Sequence, residues 1–102
     1  MKSKTITEFV KLEVLQTTTD EQMLMKADVI NDFISKQDGF VDSEIVKPLE
    51  GNIWYFVYHI ESIDKLRVVG EKIRSQKLFD VLNPFIAPGS MTVTFCQQLK
   101  KW

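Results

Sequence analysis

Cysteine is nearly missing from this chain. Cys96 stands alone, which excludes a disulfide framework and any Cys-based zinc site. Histidine is as scarce. His59 is the only one, so few routes to a His-rich metal centre remain. Neither sign of charge dominates, with 13 Lys and Arg against 14 Asp and Glu and a formal net charge of -1. A nucleic-acid binder carries a basic excess, because phosphate contacts supply most of its affinity. That class is excluded. No apolar run approaches the ~20 residues that span a bilayer. No apolar stretch of the kind that marks a secretion signal follows the opening Met1-Lys2-Ser3-Lys4-Thr5. The expectation is a cytoplasmic protein without membrane contact.

The 102 residues, 44% hydrophobic and 26% charged, suit one folded domain over residues 1–102 and leave no room for a second core. Residues 5–16 alternate, with Ile6, Val10, Leu12 and Val14 on one parity and Glu8 interrupting it, which predicts a half-buried strand. Thr19 or Asp20 should cap a helix whose apolar stripe is Met23, Ala27, Ile30, Phe33 and Ile34. Gln37-Asp38-Gly39 should end it, with Gly39 in the left-handed turn. Residues 40–47 read as a second strand, and residues 48–52 as a hairpin loop. Residues 53–60, Ile-Trp-Tyr-Phe-Val-Tyr-His-Ile, form the most apolar strand and carry large side chains on both parities. Such a strand is central and covered on both faces.

Ser62 should cap a second helix with Ile63, Leu66, Val69 and Ile73 as its stripe. Gly70 weakens that helix but permits close approach of a neighbour. Ser75-Gln76 reads as a second cap, so a bent or broken helix ending before Pro84 is expected. Pro88-Gly89 is a turn, residues 91–99 are the last strand, and residues 100–102 are a tail. The order β-α-β-β-α-β is the ferredoxin-like α+β arrangement, a four-stranded antiparallel sheet with two helices on one face. The other face is not fully polar. A second copy of the same sheet would cover it, giving a homodimer.

These residues resemble the antibiotic biosynthesis monooxygenase-like proteins of the dimeric α+β barrel superfamily. Asp38-Gly39-Phe40 opens the second strand as in that family. Ile60-Glu61-Ser62-Ile63-Asp64-Lys65-Leu66 is similar to its Trp-x-Ser-x-Glu-x-Leu passage into the second helix. The break near Ser75 falls where many members have Ser or Thr. The chain departs from the pattern as well. Ile60 replaces the family's Trp, and Lys72 and Lys77 occupy a neighbourhood where many members place His. The haem-degrading branch uses an Asn on strand one with a Trp and a His on helix two. Val10 and Val69 stand near the Asn and Trp positions, and no His or Trp lies between Glu61 and Lys101. Haem degradation is rejected, and no cofactor or metal is expected. The resemblance implies a dimeric barrel and a pocket for a small aromatic or apolar ligand between sheet and helices.

His59 has the only unperturbed pKa near neutrality. It is the candidate base for removing a proton from a phenol-like substrate, against the plainer role of a polar residue near a strand end. Trp54, Tyr55, Phe56 and Tyr58 are candidate substrate-binding residues, though aromatics at strand spacing also build sheet cores and interfaces. Cys96 has only a distant His59 as base and reads as inert. No phosphate loop, Ser-His-Asp set or His-x-x-x-His spacing occurs. Two functions compete. One is a cofactor-independent oxygenase acting on a small aromatic or polyketide-like substrate. The other is a non-catalytic homodimeric ligand-binding or stress-related module. A catalytic pocket should hold at least one titratable group, which a purely apolar pocket lacks. An RNA-binding ferredoxin-like domain fails on charge and lacks the Lys/Arg-Gly pattern beside Tyr55, Phe56 and Tyr58.

Overall fold

The computed structural model describes residues 4–102; the opening Met1-Lys2-Ser3 read above lies outside the described residues. The elements run β1 (Ile6–Glu13), α1 (Asp20–Ser35), β2 (Phe40–Val46), β3 (Ile53–Ile60), α2 (Ile63–Gln76), a 3-10 segment (Leu78–Phe85) and β4 (Thr92–Gln97). The four strands form one antiparallel sheet in the order β2-β3-β1-β4. This is the expected ferredoxin-like α+β fold, with its helical elements on one face.

Local chemistry accounts for the helix starts. Thr19 is the cap of α1. The Gln22 N–H donates to Thr19 Oγ1 at 3.1 Å, and the Thr19 N–H donates to Gln22 Oε1 at 2.8 Å. Two otherwise orphaned donors are satisfied reciprocally. Ser62 caps α2 by accepting from the Lys65 N–H. The first helix stops at Ser35, earlier than expected, and Gly39 serves the next turn instead. There Gly39 has φ +93°, and a Cβ on it would lie 2.7 Å from Lys65 Cβ. The Lys65 stem lies over this glycine. Its ammonium meets Asp38 at 3.0 Å and Glu61 at 3.3 Å. The Asp38-Gly39-Phe40 turn and the Glu61 to Leu66 passage therefore clasp each other, and the Glu61 N–H donates to the Gly39 carbonyl.

Two further boundaries differ from expectation. The break after α2 falls at Lys77, which is left-handed at φ 51° and ψ 45°. The 3-10 segment then runs through Pro84 to Phe85. Proline's fixed φ suits a helical turn, and its missing N–H forfeits one bond near a helix end. Strands β1 and β4 are also shorter than the alternation suggested. Beyond β1 a bridge joins Val14 to Ile86, and the Leu15 N–H donates to the Phe85 carbonyl. That strap ties the 3-10 segment to the end of β1.

Side chains alternate across the sheet. Val10, Leu12, Trp54, Phe56 and Tyr58 face the helices and join Met23, Ala27, Ile30, Ile34, Leu82 and Ile86 in the core. A smaller cluster of Ile6, Ile60 and Leu66 lies under α2. By the register, Thr7, Phe9, Lys11, Tyr55, Val57, His59, Asp42, Glu44 and Val46 belong to the opposite face. All six residues of β4 are exposed. No helix among the described residues is long and apolar enough to cross a membrane.

Candidate active site

The helices do not reach over β4. Val93 and Phe95 are on the helix side of the sheet, opposite Val10 and Glu8, yet remain 46% and 56% exposed. The gap between β4, α2 and the 3-10 segment is an open cavity of about 720 Å³. Leu66, Phe79, Val93 and Phe95 form its apolar walls, while Arg67, Glu71, Arg74, Lys77 and Asp80 ring it with charge. A second depression of about 390 Å³ adjoins it and shares Phe79 and Asp80.

Glu8 also lines this cavity and is only 8% exposed. The strand places it on the parity of Val10 and Leu12. Its direct neighbours across the sheet are Tyr58 on β3 and Phe95 on β4. Among the described residues its carboxyl enters no ion pair and no side-chain hydrogen bond. Burial alone pushes its pKa from 4.5 to about 6, because a low-dielectric surrounding disfavours the charged form. Tyr58 is raised as well, first by burial and then by the charge of Glu8. Its ring meets Phe79 edge-on, with centroids 6.4 Å apart. Glu8 is thus a carboxylate that is ionised at neutral pH but more basic than usual, set in an otherwise apolar wall. That combination suits a general base.

The structure divides the residues singled out from sequence. His59 lies on the opposite sheet face and does not line the cavity. Its Nδ1 is 3.0 Å from Thr7 Oγ1 and its Nε2 is 3.8 Å from Asp42 Oδ1. Tyr55 shares that face. Trp54, Phe56 and Tyr58 point toward the helices but are 5%, 0% and 3% exposed; they lie in the core behind the lining. Lys47 Nζ lies 5.7 Å from the centre of the Trp54 ring. The aromatic residues that do line the cavity are Phe79 and Phe95. Sequence reasoning passed over Glu8, treating it as a break in an apolar parity. An ionisable residue on the core parity of a strand was the available signal. Among the described residues no three His, Cys, Asp or Glu side chains gather into a metal-ligating group.

No family model and no curated protein matches the chain. Solved structures do. SnoaB of Streptomyces nogalater, described as a cofactor-independent oxygenase, is 11% identical, with 97% of each chain covered and a TM-score of 0.79. The ActVA-Orf6 monooxygenase of Streptomyces coelicolor, solved with the ligand nanaomycin D, is 18% identical. The match covers 97% of this chain and 91% of that one, with a TM-score of 0.78. A dimeric ferredoxin-like protein of unknown function from Thermobifida fusca is 9% identical, with coverage of 94% and 92% and a TM-score of 0.71. A Bordetella bronchiseptica protein described as an antibiotic biosynthesis monooxygenase is 14% identical, with coverage of 96% and 100% and a TM-score of 0.76. The fold is therefore shared with the antibiotic biosynthesis monooxygenase-like proteins, as the sequence resemblance implied. At these identities the likeness extends to the fold.

Proposed function

We propose that the chain is a cofactor-independent monooxygenase-like protein that takes a small aromatic or polyketide-like substrate in the cavity beside β4. The observation that carries this reading is Glu8, a largely buried carboxyl without a side-chain partner, set on the apolar wall of a cavity large enough for a multi-ring ligand. A pocket that served only to hold an apolar molecule would gain nothing from it, since a buried carboxylate without a partner costs stability.

The chemistry starts with a phenol-like substrate. Glu8 takes the acidic proton, and the resulting electron-rich anion passes one electron to dioxygen. Recombination forms a carbon–oxygen bond to a peroxide anion, which takes the proton held by Glu8 and becomes a hydroperoxide. The freed Glu8 carboxylate then removes the proton on that carbon, which breaks the O–O bond. One oxygen stays as a quinone carbonyl, and the other leaves as water with the proton returned from Glu8. Phenol plus dioxygen thus balances with quinone plus water. A base near pKa 6 is roughly 30-fold stronger than an ordinary carboxylate at 4.5 and remains mostly ionised at pH 7. Oxygen consumption with a dihydroxynaphthalene probe tests the scheme. Glu8→Gln should lower the rate by about 100-fold to 10,000-fold. Turnover at the parent rate would remove Glu8 from the mechanism, and absence of turnover in the parent would favour the ligand-binding module.

The sheet face opposite the helices is assigned to a homodimer. Phe9 and Tyr55, both partly exposed, flank the already buried Val57 in its apolar middle. Charged Lys11, Asp42 and Glu44 surround that middle. A stable interface there should bury at least ~1,200 Å² in total. Light scattering at micromolar concentration should give twice the chain mass of 11.9 kDa; a monodisperse monomer would refute the assignment.

A further inference from the structure

Two features of α2 make poor sense as helix engineering. Lys77 closes the helix in the left-handed conformation, with φ 51°. Glycine is the usual residue there, because any Cβ is disfavoured. Gly70 sits inside the same helix, where glycine is the weakest former after proline. Both residues line the cavity.

The geometry relates them. Arg74 follows Gly70 by four residues, so the two share a helix face. Arg74 Nη1 lies 3.4 Å from the place a Cβ on Gly70 would occupy. The guanidinium is folded back over the glycine, and a side chain longer than a methyl would take its position. Arg67 lies on this face too and also lines the cavity, with its guanidinium 3.7 Å from Asp64. Arg74 and Lys77 enter no ion pair among the described residues, although Glu71 and Asp80 stand on the same rim. Basic residues at a helix C-terminus do complement its dipole. That accounts for their charge, but not for a lysine in a backbone conformation that favours glycine. Strain kept at a cavity wall points to a role in the cavity.

We propose that Arg74 and Lys77 form an anion subsite that selects aromatic ligands bearing a carboxylate. The inference rests on the cavity being a ligand site and adds the class of ligand it prefers. The apolar walls take the rings, and the two cations take the carboxylate. The charge of Glu8 would repel such a carboxylate, which favours the orientation that turns the neutral, oxidisable end of the molecule toward the base.

The test uses two fluorescent probes of one shape, anthracene-2-carboxylate and anthracene-2-carboxamide, titrated against the intact protein at pH 7. The carboxylate should bind about tenfold more tightly, as expected for two charge-assisted contacts at an exposed rim. Arg74→Gln and Lys77→Gly should each reduce that preference about threefold, and added salt should reduce it in the parent. Lys77→Gly should also raise the urea midpoint, since it relieves the left-handed strain; a purely structural lysine would give this gain without loss of preference. Equal binding of the two probes overturns the anion subsite but leaves the cavity as a ligand site. So does a preference unchanged in both variants. Binding of neither probe overturns the subsite and the cavity reading together.

Discussion

Replacing Glu8 with Gln should stabilise the protein while disabling it, and the stabilisation should depend on pH. Folded, Glu8 keeps its proton up to about pH 6; its ordinary value is 4.5. Between these values the folded chain binds more protons than the unfolded chain. Stability contributed by this group is therefore complete below pH 4.5 and declines as pH rises toward 6. At 1.36 kcal/mol per pH unit, the loss at neutral pH is about 2 kcal/mol. Glutamine has nearly the same shape as the protonated acid and cannot ionise, so the variant should escape that loss. Urea denaturation of parent and variant, at one protein concentration and at pH 4.5 and 8, measures it. The two should unfold alike at pH 4.5. At pH 8 the variant should gain about 2 kcal/mol, a midpoint shift of about 1–2 M for a slope of ~1–2 kcal/mol/M. Other carboxylates titrate in both proteins and cancel. A gain of the same size at both pH values, or no gain at pH 8, would refute the claim that an ionised, buried Glu8 is what the fold tolerates.

Other substitutions probe the remaining links. Gly39→Ala should cost about 1–3 kcal/mol, because the new methyl meets the Lys65 stem and the backbone is left-handed; thermal unfolding reads this, and an unchanged midpoint would mean the clasp yields freely. Thr19→Ala removes one half of the reciprocal cap of α1 and should cost about 1 kcal/mol by the same measurement. His59→Ala alters the face assigned to the dimer, so it should shift the concentration dependence of the molecular mass more than it shifts oxygen consumption. The opposite balance would restore His59 as the base.

How far the sequence could be read depended on whether the signal was local. The Thr19 and Ser62 caps and the span of β3 from Ile53 to Ile60 rest on neighbouring residues, and each is found where the pattern placed it. Lys77 had no such signal, because Ser75-Gln76 looks like a cap and nothing local favours a lysine in the left-handed region. The site was harder still. The run from Trp54 to Tyr58 looked like one aromatic lining, but a strand sends alternate residues to opposite faces, so Tyr55 and His59 part from Trp54, Phe56 and Tyr58. Glu8 becomes meaningful only once β4 is laid beside β1 and the helices stop short of it. Coverage of that kind is a property of packing between segments more than 80 residues apart in sequence, and no window along the chain contains it.

The sheet order has a kinetic corollary. The β2–β3 hairpin joins segments that follow one another closely, whereas β1 must find β3 across some forty residues and β4 across about eighty. Closure of long loops is slow, and β4 can dock only on a β1 edge that already exists. The wall carrying Val93 and Phe95 should then be a late acquisition on the folding route. Changes in β4 should consequently speed unfolding and leave the refolding rate nearly constant. A ligand lodged between that strand and α2 should hold the last-arriving element in place. It would act as a brake on unfolding, lengthening the lifetime of the native chain without hastening its formation.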